Sequence, residues 1–275
     1  MTPKRILVHM ERDREWSPHL EVAIAVARQF DAHIHALIGF VEAAILRSYF
    51  HDGNEMLKDE RQRSYEILEE RRARLKKEGD KYGIQTSIEG IEWDTAGAMS
   101  LAGRFFDLIV VGKTEPYSED SEQDISGECL RGSGRPVIIV PKQGSFPTIG
   151  KRILIAWNGS REAAHALQAA DPFLQNAEKI ILAISKMPTK FEKVKSLQCL
   201  DIEGLLRDHY THFDVAPKRI PDATAAQDII DLAKENDCDL IVMGSFGRSW
   251  LRDWVLGSTT SATQNSSHIP ILTHR

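Results

Sequence analysis

Three glycines and a run of hydroxyl residues carry the clearest chemistry in this sequence. In MGSFGRSWLRDWVLGSTTS, which begins at Met243, Gly244 is followed by Gly247 and then by Gly257 and Ser258, with Thr259, Thr260 and Ser261 behind them. The spacing is G-x2-G-x9-G-S. Glycine lets backbone approach a ligand closely and adopt positive φ, and a Ser/Thr run leading into SATQNSS reads as the cap and first turn of a helix. Unpaired N–H groups at such a turn favour an anion. A phosphate held by the backbone from Gly257 to Thr260, with Gly244 and Gly247 leaving room for a sugar, accounts for all three glycines. Turn geometry alone is the competing explanation for Gly257.

Other chemistries find less support. There is no G-x-S-x-G elbow, no H-x-x-x-H pair and no cysteine with a companion base, so no catalytic set is visible. His165 and His268 read as structural or surface histidines. Cys129, Cys199 and Cys238 are far apart and odd in number, which suggests neither a disulfide framework nor a zinc site. Gly112-Lys113-Thr114 looks like the end of a Walker motif, but the first glycine of G-x4-G-K-[ST] would fall at Asp107. The acidic run from Glu115 to Asp124 reads as a solvated loop, with a cation site as the alternative.

These residues need a scaffold, and the composition bounds it. A chain of 275 residues, 42% hydrophobic and 27% charged, has ordinary globular composition and is long enough for one large or two modest domains. A net charge of -5 with both signs interspersed gives no footprint for nucleic acid. No apolar run reaches the roughly 18–20 residues of a membrane span, and the charged N-terminal stretch lacks the apolar core of a signal peptide, so the expected location is cytoplasmic, away from any membrane.

The sequence repeats itself once. KRILVHM from Lys4 is echoed by KRILIAW from Lys151, DLIVVG from Asp107 by DLIVMG from Asp239, and RPVIIVP from Arg135 by HIPILTHR from His268. The stretch QGSFPTIG between the copies has linker composition and places the boundary near residue 148, giving domains 1–148 and 149–275. In each, near-continuous apolar runs alternate with segments of helical periodicity, which predicts α/β domains with open five-stranded parallel sheets flanked by helices. The first copy carries a long, mostly helical insert from Ala43 to Tyr82. Its Leu57, Tyr65, Leu68 and Leu75 fall on roughly one face, which either covers the domain or presents a partner surface.

On these motifs the sequence resembles the universal stress proteins, whose nucleotide-binding members carry G-x2-G-x9-G-[ST] after the fourth strand. The likeness extends over essentially the whole chain and suggests a tandem, two-domain member. It implies a flavodoxin-like or Rossmann-like fold, ATP or a related adenine nucleotide at the carboxyl edge of the second sheet, and an internal pairing of domains through their last strands, with a further homodimer left open. It implies that Met243 and Gly244 lie against adenine and ribose, that Gly247, Gly257, Ser258 and Thr259 hold phosphates, and that Ile184 offers backbone contacts to adenine. The family's Asp after the first strand falls at Asn158, an amide that both donates and accepts. As an ordinary turn and helix cap, Asn-Gly-Ser needs no ligand at all.

In the first copy no such glycine motif follows DLIVVG, and no nucleotide site is expected there. Three functions stay open: a nucleotide-responsive regulatory module of the stress response, a slow ATPase or phosphotransferase using the same site with Mg2+, and a nucleotide-free scaffold for unknown protein partners.

Overall fold

The computed structural model describes residues 1–14, 16–40, 55–113, 124–185, 199–210, 215–220, 225–244 and 268–275, with backbone alone at 215–217, 219–220 and 225–226. They form two compact units, Thr2–Pro147 and Thr148–Arg275.

The first unit contains β1 (Arg5–Met10), α1 (Pro18–Phe30), β2 (His33–Gly39), α2 (Glu55–Asp80), β3 (Thr86–Ile91), α3 (Thr95–Gly103), β4 (Leu108–Gly112), α4 (Ile125–Gly132) and β5 (Val137–Val140). All pairings within it are parallel and the strand order is β3-β2-β1-β4-β5. The second unit contains β6 (Arg152–Trp157), α5 (Arg161–Leu174), β7 (Lys179–Ser185), α6 (Ile202–His209), β8 (Val215–Ile220), α7 (Ala225–Glu235), β9 (Leu240–Gly244) and β10 (Ile271–His274). Its order, β10-β9-β6-β7-β8, is the same one read from the other edge, again parallel. This is the Rossmann arrangement rather than the flavodoxin one, and it puts the reversal of strand order between the first and fourth strands of each unit.

The apolar runs seen in the sequence are the central strands. Ile6, Leu7, Val8, Ile109, Val110 and Val111 are fully buried, as are Ile153 and Leu154 in the second unit, because helices cover both sheet faces. Val215–Ile220 contains Pro217, which cannot donate to a ladder, and it occupies a sheet edge where that loss is tolerated.

The repeated aspartate in the two DLIV motifs has a structural task. Asp107 accepts hydrogen bonds from the backbone N–H of Lys4 and Arg5, both at 2.9 Å. Asp239 does the same for Lys151 and Arg152, at 3.1 and 3.0 Å. Each carboxylate thereby fixes the start of the first strand beside the start of the fourth, so these echoes in the sequence report the fold rather than a ligand.

Helix α2 corrects one expectation. Leu57 and Leu75 are buried, but Tyr65 is 60% exposed, and the inner face also holds Glu60, Ser64 and Arg71. Tyr65 follows inward-facing Ser64 directly, and one residue turns the helix by about 100°, which swings the tyrosine out to solvent.

Candidate functional site

In an open α/β sheet, ligands settle beyond the carboxyl ends of the strands where the strand order reverses. In the second unit that point lies between β6 and β9. Met243 pairs with Ala156 across this junction, Gly244 pairs with His274 on β10, and Trp157 pairs with Ile184 on β7. Of the expected site residues, Met243, Gly244, Ile184 and Asn158 therefore fall along one carboxyl edge. Met243 is buried, whereas Gly244, Ile184 and Asn158 are partly exposed. Gly247, Gly257, Ser258 and Thr259 lie outside the described residues, as do Trp250 and Trp254.

Asn158 builds the turn from β6 into α5. Its Oδ1 accepts from the backbone N–H of Ser160 at 3.0 Å, Gly159 follows with φ 72°, and Ser160 caps the helix by accepting from Ala163 N–H at 3.1 Å. An aspartate would make the same turn bond. What asparagine changes is the second polar atom: a neutral Nδ2 donor replaces a charged acceptor.

The glycine at the end of β9 proves to be a packing residue. A Cβ on Gly244 would lie 2.5 Å from the nitrogen of Ala163 and 2.6 Å from the carbonyl carbon of Glu162, so α5 docks on the strand end only because that position has no side chain. Among the described residues, the space a Gly244 side chain would need is taken by the start of α5. Glu162 was not foreseen. Burial works to raise its pKa, but the hydrogen bond from its own backbone N–H and the nearby Arg161 and His165 hold it below the usual carboxylate value. An ionised carboxylate thus already sits at the start of α5, where an incoming anion would otherwise be favoured. Its signal was present in the sequence, since an acidic residue in the first turn of a helix complements the positive end of the helix dipole.

His274 and His165 were also missed as neighbours of this edge. Their rings meet edge to face with centroids 5.5 Å apart, and each Nδ1 lies within hydrogen-bond distance of the Arg275 oxygen, at 2.8 and 3.0 Å respectively.

The corresponding edge of the first unit is furnished differently. Gly112 ends β4, but the atom a Cβ would meet there is Nδ1 of the buried His19, at 2.9 Å. Nε2 of His19 donates to the His9 carbonyl at 2.8 Å and lies 3.1 Å from Ser17 Oγ. Because the carbonyl can only accept, Nε2 carries the proton and cannot serve Ser17 as a base, so this serine–histidine pair is no nucleophile. Burial and their mutual repulsion push His9 down to about 3; burial, outweighing the hydrogen bond to His9, takes His19 to about 4, with Arg14 adding to the effect.

Residues 212–275 match the family model described as the universal stress protein family. A universal stress protein of Synechocystis is 27% identical over 175 residues, which cover 62% of this chain and 58% of that protein. The chain is thus similar to members of the universal stress protein family, and residues 212–275 carry the family match. The match to the Synechocystis protein spans under two thirds of that relative's length. The fold agrees with that of a universal stress protein from Archaeoglobus fulgidus, at TM-score 0.63, 16% identity and 98% coverage of both chains. It also agrees with a protein of unknown function from Pseudomonas aeruginosa, at TM-score 0.54 and 17% identity over 98% of this chain and 92% of that one. No helix among the described residues is long and apolar enough to cross a membrane.

Proposed function

We propose that this chain is a universal stress protein that binds ATP or a related adenine nucleotide at the carboxyl edge of its second unit and acts as a regulatory module of the stress response. The observation that carries the reading is the carboxyl edge where strand order reverses: Met243 pairs with Ala156 there, Gly244 follows Met243, and Trp157, paired with Ile184 on the neighbouring strand, leads into Asn158. Base and ribose would lie along that edge. Glu162 takes the start of α5 for itself, so the phosphates would be left to Gly257, Ser258 and Thr259 of the glycine motif. Asn158 Nδ2 would donate to a sugar hydroxyl or a base acceptor.

The test is calorimetric titration of ATP with Mg2+ into nucleotide-stripped protein, beside Gly247→Val and Gly257→Val variants whose folding is checked by circular dichroism. Saturable binding near one site per chain, lost in both variants, supports the reading. A folded wild-type protein that takes up no nucleotide overturns it in favour of a scaffold. Product accumulating beyond one equivalent per chain, and lost in Gly257→Val, would add turnover to binding.

A further inference from the structure

One face of the first sheet carries residues that its fold does not call for. Side chains alternate across a strand, and Thr86 and Gly90 of β3 meet α2, so Ser87 and Glu89 point to the opposite face, where both are exposed. His35 of β2 is the register partner of Ser87, and Leu7 of β1 is the partner of His35. The internal repeat supplies the comparison. Leu7 corresponds to Leu154 in the KRIL echo, Leu154 pairs with Ile181, and Ile181 pairs with Ala216. The positions of His35, Ser87 and Glu89 are therefore filled by Ile181, Ala216 and Lys218 in the second unit, whose strand order is the same.

The three groups lie together. Ser87 Oγ is 2.8 Å from His35 Nδ1, and Glu89 Oε2 is 3.6 Å from His35 Nε2. A carboxylate draws the proton to the ring nitrogen that faces it, so neutral His35 carries its hydrogen on Nε2 and leaves Nδ1 to accept from the serine hydroxyl. This is the reverse of His19, whose Nε2 faces Ser17 but is spent on a backbone carbonyl. Burial lowers the His35 pKa, with Glu89 opposing it and Arg5 adding to it, so the ring is an unprotonated base near neutral pH.

The base is also held in place. The Phe106 ring packs against His35 with centroids 5.6 Å apart, and the Arg5 guanidinium lies 4.8 Å from the centre of that same Phe106 ring. A hydroxyl, its base, a carboxylate that orients the base and a neighbouring cation thus come from the adjacent strands β1, β2 and β3.

We propose that Ser87 is a nucleophile activated by His35, with Glu89 as the positioning residue, and that this face hydrolyses small activated carboxylic esters. Ser87 Oγ bonds to the ester carbonyl carbon as its proton passes to His35 Nδ1, and Arg5 is the cation available to the carbonyl oxygen as that oxygen takes up negative charge. The bond from carbon to the leaving oxygen then breaks, and the departing alcohol takes the proton from His35. Water repeats the sequence on the acyl-serine, releasing the acid and restoring the hydroxyl. Ser87 and Glu89 are open to solvent, so the substrate must bring its own reactivity, as an aryl ester does. This site is independent of the nucleotide reading for the second unit.

The experiment is incubation of the full chain with p-nitrophenyl acetate, following release of p-nitrophenolate and locating the acetyl group by peptide mass spectrometry. Ser87 should carry the acetyl group, and release should continue beyond one equivalent per chain. Ser87→Ala and His35→Ile install the residues that the second unit has at these positions, so both suit this sheet, as circular dichroism checks. Each should lower kcat/KM by roughly tenfold or more. Glu89→Gln should lower kcat several-fold at unchanged KM, the mark of a group that acts through the base rather than on substrate binding. The proposal fails if wild type turns over no faster than Ser87→Ala, if acetyl groups are found on lysines but not on Ser87, or if Glu89→Gln matches wild type. The three residues would then form an ordinary cross-strand polar pairing.

Discussion

A methyl group on Gly244 would sit 2.5 Å from the backbone nitrogen of Ala163, so the end of β9 and the first turn of α5 touch backbone to backbone. The matching glycine of the first unit, Gly112, meets the His19 ring instead, at 2.9 Å. A helix turn capped by Ser160 cannot step aside without breaking its cap, whereas a side chain can pivot. Gly244→Ala should therefore destabilise the second unit by about 1–3 kcal/mol, as overpacking does. Gly112→Ala should cost less. Urea unfolding of the two variants checks the difference, and equal losses would mean that the strand–helix contact yields more readily than its backbone geometry implies.

His9 and His19 stack with ring centroids 6.1 Å apart and are held neutral, at about 3 and about 4. Their pKa values in the folded chain lie below the unfolded value of about 6.5, so between these limits the unfolded chain binds more protons and stability rises with pH. Stability is complete above about pH 6.5 and is lost as the pH falls toward 4. Each histidine should remove roughly 2 kcal/mol by pH 5. Urea midpoints measured from about pH 7.5 down to 5 should fall accordingly, and His9→Gln should flatten the slope by about half. A profile unchanged in that variant would place the acid sensitivity elsewhere.

The three thiols differ sharply in access. Cys199 is exposed, while burial pushes Cys129 up to about 12 and Cys238 to about 11. Thiolate is the reactive form, so a chromogenic disulfide reagent at neutral pH should titrate one thiol quickly in the native protein and all three in denaturant. Fast reaction of a second thiol would show that one of the two units opens readily.

The strands were legible because parallel strands covered on both faces are nearly unbroken apolar runs, and RILVHM, RILIAW, DLIVVG and DLIVMG stand out against charged surroundings. The strand order was not, since flavodoxin and Rossmann arrangements share the same alternation and differ only in where each crossover lands. Local pattern also misread α2. Periodicity placed Tyr65 on one face with Leu57, Leu68 and Leu75, but polar Glu60, Ser64 and Arg71 occupy the inner side, Glu60 and Arg71 through contacts with Arg12, distant in sequence. At the candidate site, motif spacing marked Gly244 correctly as a position needing no side chain, yet nothing in the spacing says that the neighbour is α5.

Asn158 supplies the sharpest test of how the turn after β6 divides its work between fold and ligand. Its Oδ1 bond to Ser160 N–H needs only an acceptor, and the start of α5 favours negative charge. Asn158→Asp should thus leave stability unchanged or raise it by a few tenths of a kcal/mol, while Asn158→Ala should cost about 1 kcal/mol through loss of the turn bond. The two variants separate differently in binding. If Nδ2 donates to the nucleotide, both weaken ATP by several-fold, because neither retains the donor, and the aspartate variant weakens it although its fold is intact. Calorimetry on the pair, with urea unfolding alongside, reads this directly. An aspartate variant that binds ATP as tightly as wild type would show that Asn158 serves the turn alone.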